Sequence, residues 1–256
     1  MRFPALHVLE RALAVYRRTW RGTLFLTFLS PILYLAAMGL GLGALVDRQG
    51  HALEGVPYLV FLAPGMLAAQ AMNTATFEST FPVVSGIVWQ KTYHGMLATP
   101  LRVRDILAGH LLFVTLRLLM VAVVFLAVMY LFGAARSPTA LLTVPAAVLT
   151  GLTFAALIVA FSATQKNDSG FSYLFRFGIT PLFLFSGTFF PVERLPDYLQ
   201  PIAVATPLYH GVALARDLSL DRAQPLGVAL NVAVLLAYLV CGLALAGFLL
   251  RRRLVV

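Results

Sequence analysis

The sequence predicts an all-α integral membrane protein with six transmembrane helices, and three observations carry that prediction. The 256 residues are 60% hydrophobic and only 11% charged, with a mean hydropathy of +0.88, outside the range of soluble globular domains. Apolar runs of about 20 residues, the length that crosses a bilayer as a helix, recur along the chain. The formal net charge is +9, but the basic residues flank the apolar runs and form no single soluble face. This is a membrane-topology pattern and not a nucleic-acid footprint. The one cysteine, Cys241, lies within an apolar run, so there is no disulfide framework.

In chain order, the first span is expected over 22–46, uncharged, with Pro31 as a kink. The second runs from 57 to about 81 and carries one charge, Glu78. The third, 106–132, contains His110 and Arg117. The fourth, 139–163, has no charge, and the fifth, 169–188, contains Arg176. The sixth, 226–250, stops at Arg251, Arg252 and Arg253. Asp105 is placed to cap the start of the third span. Residues 1–256 therefore read as one transmembrane domain: an amino-terminal helix over 1–21, a six-span bundle over 22–250 and a tail over 251–256. No internal repeat and no soluble domain is visible.

With both termini on the cytoplasmic side, the inner connections hold twelve lysines and arginines. The outer connections then hold five: Arg48, Arg136, Arg194, Arg216 and Arg222. The excess favours that orientation. The amino terminus does not read as a cleavable signal, because basic residues extend well into the chain. Leu6, Leu9, Leu13, Tyr16 and Trp20 recur at helical spacing with Arg11, Arg17, Arg18 and Arg21 on the other side. That pattern suits a helix lying on the inner membrane surface; the alternative is a cytoplasmic extension of the first span.

The stretch 183–210 carries Pro191, Pro196, Pro201 and Pro207 within strongly apolar sequence. Proline removes a backbone donor and breaks helix interiors, and irregular backbone at membrane depth survives only when shielded. Short helices dipping into the outer membrane face are expected there, with Phe189 and Phe190 among them.

Catalytic and nucleotide-binding motifs are missing from the sequence. Lys91 and Lys166 each follow a glutamine, so no glycine-rich phosphate loop exists. Gly39, Gly41 and Gly43 alternate without basic neighbours, which suits close helix packing. Energy for transport would have to enter through a partner or an ion. The largest cytoplasmic connection, 82–105, reads PVVSGIVWQKTYHGMLATPLRVRD. A short amphipathic helix there that exposes Trp89 and Tyr93 would suit docking into a partner's groove. Equally, those aromatics would sit at headgroup level.

Three motifs then carry a resemblance: APGMLAAQAMNTATFEST at 63–80, KTYHGMLATPL at 91–101 and FLFSGTFFPVERLP at 183–196. Their content, order and separation resemble the membrane subunit of type-2 ABC exporters, especially the branch of nodulation lipo-oligosaccharide and drug exporter permeases. The resemblance implies an interfacial amino-terminal helix, re-entrant helices before the last span, and a cytoplasmic coupling helix for an ATPase subunit at 89–99. It assigns ATPase coupling to Trp89, Gln90, Lys91, Tyr93, His94, Met96, Leu97 and Thr99. Many relatives carry an acidic residue beside an arginine at the start of that segment, where this chain has Gln90 and Lys91. The implied assembly is two membrane subunits, identical or related, with two ATPases that bind ATP and Mg. No cofactor is expected in this chain, and membrane lipids rather than nucleic acid are its surroundings. The expected location is the bacterial plasma (inner) membrane.

Ionisable residues within spans are costly and point to function by default. Arg117 and Arg176 fall roughly 10–17 Å above the inner ends of their spans. Glu78 pairing with one of them would make an inner gate or a headgroup site. Arg117 is read as snorkelling to the inner interface, and Arg176, between Phe175 and Phe177, stays open. Asn73, Thr74 and Thr76 are candidates for the substrate pathway or for interhelical bonds. His110 and His210 read as solvated or interfacial, and Asn231 as an interhelical hydrogen bond. Glu193 and Asp197 look like helix capping. The expected function is the membrane subunit of an ATP-driven exporter of an amphiphile, with an ion-driven transporter or channel as the alternative.

Overall fold

The computed structural model describes residues 4–43, 55–135 and 137–255. Arg2, Arg48, Arg136 and the end of the first expected span lie outside them. Among the described residues the chain is mostly helical, with no strand. The long helices are α1 (Pro4–Tyr34), α2 (Tyr58–Ser79), α5 (Val103–Leu131), α6 (Thr143–Thr164) and α11 (Pro225–Leu254). Between them lie α3 (Phe81–Val84), α4 (Thr92–Leu97), α7 (Ser169–Tyr173), α8 (Thr180–Phe185), α9 (Gln200–Val204) and α10 (Pro207–Ser219). Among the described residues three helical stretches are long and apolar enough to cross a membrane, Val103–Leu131, Pro138–Thr164 and Pro225–Leu254.

Helix α2 is the centre of the core. Phe61, Leu62, Met66, Leu67 and Met72 are fully buried in one cluster with Leu118 and Phe125 of α5, Ala155 of α6 and Leu208 of α10. Lipid tails are as apolar as leucine, so such contacts are held by close packing more than by water exclusion. Small residues let the backbones approach. A Cβ on Gly242 of α11 would lie 3.0 Å from Ala156 Cβ, and one on Gly109 of α5 would lie 2.6 Å from Ala5 O.

One end of the bundle gathers Val83, Tyr93, Ile106, Ala163 and Leu254 in a second cluster. The start of α5 and the ends of α6 and α11 thus lie together, with Lys91, Arg102, Arg104, Lys166 and Arg251–Arg253 on the same end. The exposed side of α11, with Leu230, Val240 and Phe248, is free to face lipid.

Several sequence expectations need correction. Helix α1 is continuous through Gly22: one exposed glycine costs about 1 kcal/mol in a helix and does not end it, so no boundary separates an interfacial helix from the first span. The face of α1 that packs on α5 is Val8, Ala12 and Tyr16, while Leu6 and Trp20 are exposed. Arg102, not Asp105, is the N-cap of α5. Asp105 stands at the third helical position, where its Oδ2 accepts from Arg102 N at 2.8 Å. The fifth expected span is helical only to Phe185 and contains a π-helical stretch, Leu174–Ile179. Arg251, Arg252 and Arg253 form the last turn of α11, where cations complement the helix dipole, and not a tail. Helix α10 starts at Pro207 inside the expected broken segment but runs on to Ser219, beyond the stretch that the sequence marked.

The tight seam between α1 and α5 gives a prediction. Gly109→Ala places a methyl 2.5 Å from Val8 Cβ and 2.6 Å from a backbone oxygen, and should cost about 1–3 kcal/mol as a lower unfolding midpoint in detergent. Gly22→Ala, with nothing within 4 Å of the added carbon, should hold or raise that midpoint. Equal midpoints for the two variants would refute the close α1–α5 approach.

Candidate functional site: two polar knots at opposite ends of the bundle

The chain leaves α2 through a bend at Thr80 (φ −94°, ψ −88°) followed by Pro82. A short π-helical stretch, Ser85–Trp89, closes with Gln90 N donating to Ser85 O at 2.8 Å. Lys91 then adopts φ +51°, a left-handed conformation that costs a non-glycine residue roughly 1–2 kcal/mol. It stops one helix and lets α4 start in a new direction at Thr92. The segment expected as one coupling helix over 89–99 is therefore a turn followed by a six-residue helix.

Tyr93 and Trp89 do different things. The Tyr93 ring covers Gly86, where a Cβ would lie 2.7 Å from Cε1, and the residue is 7% exposed. Burial pushes its phenol up to about 12, with Arg11 pulling weakly the other way. Tyr93 is thus part of the core and not an exposed anchor, because only a glycine at position 86 leaves room for its ring. Trp89 is 52% exposed, and Gln90, Lys91, His94 and Thr99 are exposed beside it. Met96 and Leu97 pack against the core at this end, and Thr99 Oγ1 donates to Met96 O at 2.6 Å.

Behind this segment lies a cavity of about 320 Å³ lined by Gln90, Tyr93, Met96, Glu78, Tyr16 and His110. At its wall Arg117 Nε donates to Glu78 Oε1 at 2.9 Å, and Nη1 donates to the Tyr16 hydroxyl at 3.1 Å. The guanidinium also sits 5.0 Å from the Tyr16 ring centroid, and the Tyr16 hydroxyl donates to Met120 Sδ at 3.6 Å. Arg117 is 8% exposed, so it does not snorkel: a carboxylate on the neighbouring helix offers a better partner than the interface. The cluster ties α1, α2 and α5 together. His110 Nε2 is buried without a hydrogen-bond partner among the described residues, which corrects its expected solvation.

The other candidates lie apart. Arg176 is exposed beside Tyr173 and Phe177 and makes no ion pair with Glu78. Thr76 is buried and donates to Met72 O of its own helix at 2.8 Å. Asn73 and Thr74 are half-buried on α2.

At the opposite end, α8 stops at Phe185 and the chain turns at Gly187 (φ +81°), a conformation that suits glycine. Phe189 meets Phe183 edge-on at 5.0 Å, and Phe190 packs on a small core of Val192, Leu195 and Ala203. The prolines start structure. Pro191 precedes a 3-10 turn, Pro196 O accepts from Leu199 N at 2.8 Å, and Pro201 and Pro207 open α9 and α10. Proline suits the first turn because no carbonyl there awaits its missing donor.

Helix α10 buries Arg216, which was assigned to an outer connection on sequence. Its Nη2 donates to Gly187 O at 2.7 Å, its Nε to Phe61 O at 3.4 Å, and the guanidinium lies 3.7 Å from the Phe61 ring centroid. His210, expected as solvated, is buried with Nδ1 2.8 Å from Asn231 Oδ1. An amide oxygen only accepts, so the imidazole carries a proton on Nδ1. Asn231 therefore bonds across helices, as its apolar surroundings suggest. The available signal for α10 was Thr206-Pro207, an N-cap followed by a first-turn proline.

The ion pair gives a second prediction. Arg117→Met leaves Glu78 unpaired and should cost about 3 kcal/mol, while Glu78→Gln combined with Arg117→Met should recover most of the loss in thermal unfolding. A double variant no more stable than Arg117→Met would show that the two residues are not coupled.

A family model described as ABC-2 type transporter matches residues 5–220. The chain is 34% identical over 249 residues to "Nodulation protein J" of Sinorhizobium fredii (strain NBRC 101917 / NGR234), covering 94% of this chain and 93% of that protein. It is likewise 34% identical over 250 residues to "Nodulation protein J" of Rhizobium leguminosarum bv. viciae, covering 94% of each. It is 22% identical over 198 residues to "Inner membrane transport permease YadH" of Escherichia coli (strain K12), covering 77% of this chain and 75% of that protein. Apolar helices, a helical bundle with polar knots at its two ends and these matches agree: the chain belongs to the ABC-2 type transporter family, as the membrane permease subunit of an exporter whose ATPase is a separate protein.

Proposed function

We propose that this permease couples ATP binding in its partner to export of an amphiphile through a direct mechanical link at residues 89–99. The observation that carries the proposal is the shared cavity: Gln90, Tyr93 and Met96 line the same space as Glu78 and Tyr16, so a push on the coupling segment reaches the ion pair within one layer of side chains. In this reading Trp89, Gln90, Lys91, His94 and Thr99 touch the ATPase. Tyr93, Met96 and Leu97 carry the load inward.

The assembly is two permease copies, or one with a related permease, and two ATPases that hold the ATP and Mg. Six spans cross the inner membrane with both termini cytoplasmic. The cluster of Lys91, Arg102, Arg104, Lys166 and Arg251–Arg253 at one end of the bundle supports that orientation. The Glu78–Arg117 pair then braces the wall of an inner gate. Asn73 and Thr76 on α2 and exposed Arg176 belong to the same gate or substrate pathway.

On the outer side, the re-entrant segment with Phe189, Phe190, Pro191, Pro196, Pro201 and Pro207 shapes the exit. The substrate class is an amphiphile such as a lipid-linked oligosaccharide, a glycolipid or a hydrophobic drug. The resemblance to lipo-oligosaccharide and drug exporter permeases and the apolar interior with few charges support it.

The test separates docking from folding. Trp89→Ala and His94→Ala should lower the affinity for the co-purifying ATPase by at least about tenfold, equivalent to roughly 1.4 kcal/mol, with the unfolding midpoint unchanged. Tyr93→Ala should instead lower the midpoint, by about 3–5 kcal/mol of stability. An undiminished complex in both docking variants would overturn the proposal.

A further inference from the structure

A cavity of about 1060 Å³ lies outside both polar knots, between the start of α5 and the last turns of α11. Its walls are aliphatic: Leu107 and Leu111 from α5 face Leu243 and Gly247 from α11. Along α5 the slot runs from Val103 to Leu111, roughly 12 Å of helix. Its mouth carries Arg102, Arg104 and Arg251, all exposed, and none of the three is ion-paired among the described residues. The neighbouring carboxylate, Asp105, accepts from Arg102 N at 2.8 Å and forms a salt bridge with none of the three.

An apolar slot with a cationic mouth at the ends of two long apolar helices matches one ligand chemistry: a hydrocarbon chain joined to an anionic headgroup. The geometry points to a built site for one anionic phospholipid, with an acyl chain between α5 and α11 and its phosphate among Arg102, Arg104 and Arg251. Basic residues near a membrane surface attract anionic headgroups, so three guanidiniums lining one slot select such a lipid over a zwitterionic one. A second copy of this chain is a poor occupant, because a two-fold contact brings the patch against itself and would set three arginines against three. The site rests on the membrane location of the family and not on the ATPase contact proposed above.

The permease purified in mild detergent is titrated with phosphatidylglycerol or phosphatidylcholine of identical chains, and bound lipids are counted by native mass spectrometry. One phosphatidylglycerol per permease copy should be retained at least about tenfold more tightly than phosphatidylcholine. The triple variant Arg102→Gln, Arg104→Gln, Arg251→Gln should lose that preference and keep its phosphatidylcholine retention. Gly247→Phe, whose side chain enters open space with nothing within 4 Å of the added Cβ, should block both lipids while the unfolding midpoint holds. Trp89→Ala should leave lipid retention intact, so failure of the docking reading and failure of this one are told apart. Equal retention of the two lipids, a preference that survives the triple variant, or displacement of phosphatidylglycerol by stoichiometric ATPase would each overturn the site.

Discussion

A guanidinium far along an apolar helix has to find compensation, because the cost of stripping its water is several kcal/mol. Arg117 finds it in Glu78 and in the hydroxyl and ring of Tyr16. Each of the three residues sits on a different helix, so satisfying one charge fixes the relative positions of α1, α2 and α5. The rest of the inner end follows from that constraint. With α1 held on α5, Gly109 has to be small, and the cavity behind the coupling segment keeps a defined wall. Burial of Tyr93 over Gly86 then joins residues 89–99 to the same wall.

The opposite end repeats the device with different chemistry. Arg216 is held by two backbone carbonyls and the face of Phe61. Those carbonyls belong to the turn at Gly187 and to α2, so one side chain pins the re-entrant segment to the central helix. His210 and Asn231 fasten α10 to α11 in the same region. Both ends of α2 are thus tied through arginine, one to a carboxylate and one to carbonyls. A rigid α2 between two polar knots is a suitable element for carrying a movement along the bundle.

The gross architecture was legible because apolar run length is a local property. The runs that became α5, α6 and α11 were placed to within a few residues at their starts, and the prolines of 183–210 announced broken helices. What stayed hidden depends on tertiary neighbours. Nothing in the spacing told whether Arg117 or Arg176 would meet Glu78; the bend at Thr80 and the parallel packing of α1 and α5 decide it. Tyr93 and Trp89 looked alike as aromatic anchors, and only the absence of a side chain at Gly86 separates them. Arg216 and His210 sat in what read as a connection because α10 is short and ends in polar residues. Continuity of α1 through Gly22 was the weaker of two readings, since amphipathic spacing over 6–20 does not reveal which surface the apolar face meets. In the structure the face of Val8, Ala12 and Tyr16 meets α5, while Leu6 and Trp20 of the amphipathic stripe stay exposed.

The central claim is that α1, α2 and α5 move with the coupling segment as one body, held where Arg117 meets Glu78 and Tyr16. Spin labels at exposed Arg18 and Ala98, in a background with Cys241 replaced, measure it directly by pulsed electron resonance on the ATPase complex. The account predicts the same narrow distance distribution with and without trapped ATP, and a broadened one after Arg117→Met. A wild-type distribution that shifts with nucleotide, or one that stays narrow without the ion pair, would contradict it.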